Sequence, residues 1–122
     1  MEYIGKDSFI RTALESIVLP PTVTIISENA FRECVELREV TIAEGSKLRA
    51  IESEAFFGCS SLAKIDLPDG LEFIGSRCFA GSGLVRVRIS KTGVHVGEGI
   101  FEGCSASGSV VFRDGRVFLK EE

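Results

Sequence analysis

The stretch Leu62-Ala63-Lys64-Ile65-Asp66-Leu67-Pro68-Asp69-Gly70-Leu71-Glu72-Phe73-Ile74-Gly75-Ser76-Arg77-Cys78-Phe79 decides the fold. Ile65 and Leu67 alternate with polar residues, the period-2 signature of a strand with one buried face. Pro68 then removes a ladder donor and ends that strand. Leu71 and Ile74 form a second apolar segment, and a small residue followed by phenylalanine closes the unit. One such unit holds too little apolar surface to bury by itself.

Working outward, the small-residue-plus-phenylalanine step occurs at Ser8-Phe9, Ala30-Phe31, Ala55-Phe56 and Cys78-Phe79, with Ile100-Phe101 as a bulkier fifth copy. The spacings between phenylalanines are 22, 25, 23 and 22 residues. Three residues after phenylalanine stand Thr12, Cys34, Cys59, Ser82 and Cys104. The segment Leu-x-x-Ile-x-Leu recurs as Leu14/Ile17/Leu19, Leu37/Val40/Ile42, Leu62/Ile65/Leu67 and Leu84/Val87/Ile89, and fades at Ser107/Val110/Phe112. The second segment recurs as Val23/Ile26, Leu48/Ile51 and Leu71/Ile74, with Val94 and Val96 shifted by one and Ile4-Gly5 as a truncated first example. Two extra residues around Gly45-Ser46-Lys47 account for the longest step. A fixed period of this length predicts a solenoid, in which stacking supplies the core that no unit can form alone.

Parallel strands about 4.8 Å apart are expected in successive turns, mostly β and loop with little helix. Phe31, Phe56, Phe79 and Phe101 are expected to form an internal aromatic stack. The array is read over residues 1–112 and a terminal strand and tail over 113–122, since Val110–Phe112 and Val117–Leu119 flank an Asp114-Gly115 hairpin turn. Such a hairpin would cover one open end of the stack, leaving the first end less protected.

The pattern Leu-x-x-Ile-x-Leu-Pro-x-x-Leu-x-x-Ile-Gly-x-x-Ala-Phe-x-x-Cys, nearly whole from Leu62 to Phe79 and again from Ile51 to Leu67, resembles the BspA-type leucine-rich repeat family. The resemblance runs from about Ile4 to Phe112 and departs from the pattern at Cys78 and after Cys104. It implies a leucine-rich-repeat solenoid. Members are often surface-exposed adhesins that contact host or matrix proteins, so the resemblance implies a protein-binding role.

Composition narrows the function classes. The chain has 122 residues, 44% apolar and 26% charged, which fits one folded domain. No apolar run reaches membrane-span length, and residues 1–5 lack the features of a secretory leader. Net charge is −4, which argues against general nucleic-acid binding. The 4 cysteines form no CxxC pair, so neither a zinc site nor a disulfide scaffold is expected. Those that follow phenylalanine read as a buried ladder. Cys34 and Cys59, on adjacent turns, are close enough for a disulfide, but their parallel side chains argue against one.

His95 is the sole histidine, so proton-transfer chemistry near neutral pH would pass through it. It reads as a surface residue. The carboxylate pairs Glu33/Glu36 and Glu52/Glu54 read as solvated faces, and Gly81-Ser82-Gly83 and Gly97-Glu98-Gly99 as turns without the setting of a phosphate loop. No catalytic residue, cofactor, metal or small-molecule substrate is expected.

The outward set of the Leu-x-x-Ile-x-Leu strands is the candidate partner-binding surface: Glu39, Thr41, Lys64, Asp66, Arg86 and Arg88, flanked by Ser16/Val18 and Ser109/Val111. Residues 1–61 carry 6 basic and 10 acidic side chains, whereas 62–122 carry 8 and 8, so this face turns from neutral through mixed to basic. Arg86, Arg88 and Lys91 form a local positive cluster, with Arg113 and Arg116 as neighbours, suited to an acidic partner. The expected function is a non-enzymatic protein-interaction module, adhesin-like or scaffold. The alternative is a stacking segment that self-associates through its ends.

Overall fold

The computed structural model describes residues 2–84, 86–89, 94–104, 109–112 and 117–119, of which strands 86–89, 109–112 and 117–119 are described by their backbone pairing. The chain winds as a solenoid of short parallel strands with no helix among the described residues. Each turn contributes one strand to each of two strand columns, and a run of reverse turns forms a third.

The first column contains β1 (Glu2–Ile4), β3 (Val23–Ile26), β5 (Ala50–Ile51), β7 (Phe73–Ile74) and β9 (His95–Val96), all parallel and in that order. Its register aligns Ile4, Ile26, Ile51, Ile74 and Val96. Val96 thus occupies the isoleucine rung, and the middle three isoleucines are fully buried.

The second column contains β2 (Ser16–Leu19), β4 (Glu39–Ile42), β6 (Lys64–Asp66), β8 (Arg86–Ile89) and β10 (Ser109–Phe112), followed by β11 (Val117–Leu119) antiparallel to β10. β2 stops directly before Pro20, as a residue without an amide hydrogen requires. This column is interrupted. β2 pairs with β4, and β6 with β8, but β4 and β6 lie side by side without ladder bonds. The insertion at 45–47 follows β4, and its Gly45 and Ser46 line the cleft that opens at this break. The turn at Asp114-Gly115 lies outside the described residues, as does the degenerate segment 105–108.

Between the columns the stacked rings are Phe9, Phe31, Phe56 and Phe79, with centroids 5.2, 5.2 and 5.6 Å apart. The aromatic stack therefore starts one turn earlier than the sequence suggests and does not include Phe101. Phe101 is buried, but the branched Ile100 precedes it where Ala30, Ala55 and Cys78 precede three of the stacked rings.

Around each phenylalanine the turn column is held by backbone bonds that point one way. The N–H groups of Asp7, Phe9 and Arg11 donate to Glu28, Ala30 and Arg32 on the next turn, and three further sets repeat this down to Arg77, Phe79 and Gly81 donating to Glu98, Ile100 and Glu102. This geometry needs left-handed backbone two residues either side of each phenylalanine. Asp7, Asn29, Glu54, Arg77 and Gly99 occupy the first position, and Arg11, Glu33, Gly58, Gly81 and Gly103 the second. Asparagine and glycine tolerate that conformation, whereas glutamate and arginine carry its steric cost.

Candidate interaction surface

Alternation within the second column sorts its side chains. Val40 and Ile65 turn inward and are buried, while Ser16, Val18, Glu39, Thr41, Lys64 and Asp66 are exposed. Register places Ser16 beside Glu39 and Val18 beside Thr41, and sets Lys64 against Arg86 and Asp66 against Arg88. The sequence-derived surface residues therefore fall in two rows across neighbouring strands. Arg86 and Arg88 are described by their backbone pairing alone, and Lys91, Arg113 and Arg116 lie outside the described residues.

The guanidiniums of the turn column are used within the molecule. Arg11 bonds Glu33 at 2.7 Å, Arg32 bonds Glu54 at 2.7 Å and Arg77 bonds Glu102 at 3.2 Å, each joining adjacent turns. Lys6–Glu28 and Arg38–Glu15 do the same at 3.6 and 3.0 Å. The Arg11 guanidinium holds the Glu33 carboxyl below its ordinary value. Arg32 also lies 4.3 Å over the Phe57 ring, a cation–π contact. By contrast, none of Glu39, Lys64 and Asp66 forms an ion pair with another described side chain. Among the described side chains, the strand face is thus charged but not consumed by internal pairing.

Beside this face, at the break between β4 and β6, lies a cleft of about 260 Å³ lined by residues 42–46 and 66–69. Sequence reasoning identified the insertion but not the cleft. The cleft arises from the loss of strand pairing, which no residue in β4 or β6 announces.

The cysteines form part of the core. Cys34, Cys59 and Cys104 donate their thiols to the carbonyls of Phe9, Phe31 and Phe79 at 2.9, 3.1 and 3.3 Å. None of the four forms a disulfide, and all are buried. Burial pushes the Cys59 thiol from 9.0 up to about 12, and Cys78 higher still for the same reason. His95 is exposed on the outer side of β9, so imidazole and thiols occupy different environments. Glu33 faces Arg11 rather than Glu36, and Glu54 faces Arg32 rather than Glu52.

The raised thiols imply an alkaline instability. A folded-state pKa above the unfolded value gives stability that is full below the unfolded pKa and is lost as pH rises toward the folded one. Between pH 9 and pH 11 Cys59 and Cys78 should each remove up to about 1.4 kcal/mol per pH unit. Urea unfolding across that range should show a shallower decline for Cys59→Ala/Cys78→Ala than for the parent chain. Equal slopes would contradict this account.

Comparisons with known proteins agree with the geometry. A family model described as a BspA type leucine rich repeat region matches residues 2–116 in 6 copies. The chain is similar to the crystal structure of a leucine-rich repeat protein of T. pallidum, at 32% identity and a TM-score of 0.73, covering 85% of this chain and 49% of that one. It is also similar in fold to the pneumococcal vaccine antigen PcpA, at 21% identity and a TM-score of 0.66, covering 98% of this chain and 40% of that one. A leucine-rich repeat protein from Bacteroides ovatus matches at 19% identity and a TM-score of 0.50, over 92% of this chain and 41% of that one. The chain thus spans half or less of the length of each of these structures. No curated protein matches it.

Proposed function

The chain belongs to the BspA-type leucine-rich repeat family, and from that premise we propose that it is a non-enzymatic binding module whose β2–β4–β6–β8 strand face contacts a protein partner. The observation that carries this reading is the contrast in charge use. The turn-column guanidiniums of Arg11, Arg32 and Arg77 each pair with a carboxylate of the next turn, whereas Glu39, Lys64 and Asp66 extend from the strand face without an ionic partner among the described residues. Repeat proteins use such extended faces for binding because neighbouring turns present side chains at fixed spacing. With Arg86 and Arg88 in register beside Lys64 and Asp66, the basic end of the face suits an acidic surface. The family resemblance supports reading the module as adhesin-like or as a scaffold.

The test is a binding screen of the purified chain against extracellular-matrix and lysate proteins, run beside Arg86→Glu/Arg88→Glu. Saturable binding should appear and be lost in the double variant, while the two chains unfold within about 0.5 kcal/mol of each other. Binding that persists undiminished in the double variant would overturn the assignment to this face.

A further inference from the structure

The first strand column carries a second outward face. In its three interior strands Val23 and Ile26, Leu48 and Ile51, and Leu71 and Ile74 are buried, while the two residues between each pair are exposed or half-buried. Register aligns Ile25, Ala50 and Phe73 in one row. Thr24, Arg49 and Glu72 precede them and form the other. Backbone bonds hold this row in step, since Arg49 N–H donates to Thr24 and Glu72 N–H to Arg49, both at 2.8 Å. β3, β5 and β7 are each paired on both sides, so the face does not depend on either end of the stack.

Two features set this face apart. Phe73 is 42% exposed, whereas the other phenylalanines of described burial are half-buried or buried. It stands beside Ala50, whose small side chain leaves a step between Ile25 and the Phe73 ring. Arg49 and Glu72, exposed on adjacent turns, form no ion pair with a described side chain, although Arg11–Glu33, Arg32–Glu54 and Arg77–Glu102 make the same one-turn step elsewhere.

These features complement themselves. A two-fold axis running along the strands, midway between β5 and β7, sets Ala50 of one copy against Phe73 of the other. The same rotation sets Arg49 against Glu72, and does so twice. Each ring then fills the step over the other copy's Ala50, and the two rings meet side by side at the axis. Moving the axis onto β5 would oppose Arg49 to Arg49, and moving it onto β7 would oppose Glu72 to Glu72, so charge selects the register.

We propose that this face of the first column is a homodimer contact, in which Phe73 seats over Ala50 of a second copy and Arg49 pairs with its Glu72. The contact uses a different column from the strand-face reading and is independent of it. It is isologous, so it closes at two copies. Three strands span only about 10 Å, less than a patch of roughly 800 Å² per partner requires, so the dimer is transient and concentration-dependent.

Sedimentation of the full chain at concentrations up to about 1 mM should show a monomer–dimer equilibrium that stops at the dimer. Phe73→Thr, which keeps a β-forming residue at an exposed position, should weaken dimerisation about tenfold. Arg49→Glu and Glu72→Arg should each do the same by opposing like charges across the axis, and they leave Phe73 in place should Phe73→Thr not fold. An equimolar mixture of the two charge variants should recover the parent's association, because the reversed charge of each chain then meets its opposite on the other. Arg86→Glu/Arg88→Glu, which tests the strand face, should dimerise as the parent does. A parent chain that stays monomeric would overturn the second copy as occupant and leave the face to a different protein. A dimer indifferent to the single charge reversals, a mixture no stronger than its components, or a dimer lost in Arg86→Glu/Arg88→Glu would equally overturn the proposal.

Discussion

Phe56→Ala is expected to lower the unfolding free energy by about 3–5 kcal/mol, a large part of a small domain's stability. Phe56 is fully buried and stacks on both sides, 5.2 Å from Phe31 and 5.6 Å from Phe79. Its removal withdraws a ring from two contacts and leaves a cavity between turns. The surrounding backbone resists collapse, because Phe56 N–H donates to Cys78 and its carbonyl accepts from Cys59 in the column that fixes turn spacing. Phe9→Ala should cost less, since Phe9 stacks on one neighbour and is only half-buried at the open end. Urea unfolding of the two variants beside Arg86→Glu/Arg88→Glu checks the assignment of inside and outside. A Phe56→Ala chain no less stable than the surface variant would reject it.

The fold was legible because the residues that make it repeat in kind. Phenylalanine, the Leu-x-x-Ile-x-Leu segment and the prolines at 20 and 68 each have one physical meaning, and their periods agree. The left-handed positions were not legible, although they recur as strictly as the phenylalanines. Arg11 and Glu33 stand where Gly58, Gly81 and Gly103 follow, so bond polarity rather than residue type imposes the conformation. The aromatic stack was misplaced at both ends: Phe9 belongs to it, and Phe101 does not, because the bulkier Ile100 precedes it. The exposed strand face followed from alternation alone, and Glu39, Thr41, Lys64 and Asp66 lie where that pattern put them. The lack of ion pairs among its described side chains depends on which charges meet across turns, which becomes visible only once the register is known.

Gly75→Ala should be among the most damaging substitutions of a single methyl group, although two earlier turns carry larger residues at this position. Aligned by register, the residues after Ile26, Ile51 and Ile74 are Ser27, Glu52 and Gly75, so side chains are accommodated at this position in earlier turns. At Gly75 they are not. A Cβ there would lie 2.4 Å from the amide nitrogen of Ser53 and 2.7 Å from the carbonyl carbon of Glu52, both backbone atoms. Neither can retreat freely, since Glu52 N–H donates to Ile26 and Gly75 N–H to Ile51 at 2.7 Å. Relieving the overlap would part the third and fourth turns beside Ile51 and Ile74. Overpacking of this kind costs about 3 kcal/mol when the neighbour is rigid. Gly45→Ala is the control, because its Cβ meets nothing within 4 Å and its positive φ of 80° alone should cost about 1–2 kcal/mol. Thermal and urea unfolding of both variants should rank Gly75→Ala as clearly the less stable. If the ranking were reversed, the close backbone approach at Ser53 would have to be abandoned, and with it the tight spacing of these turns.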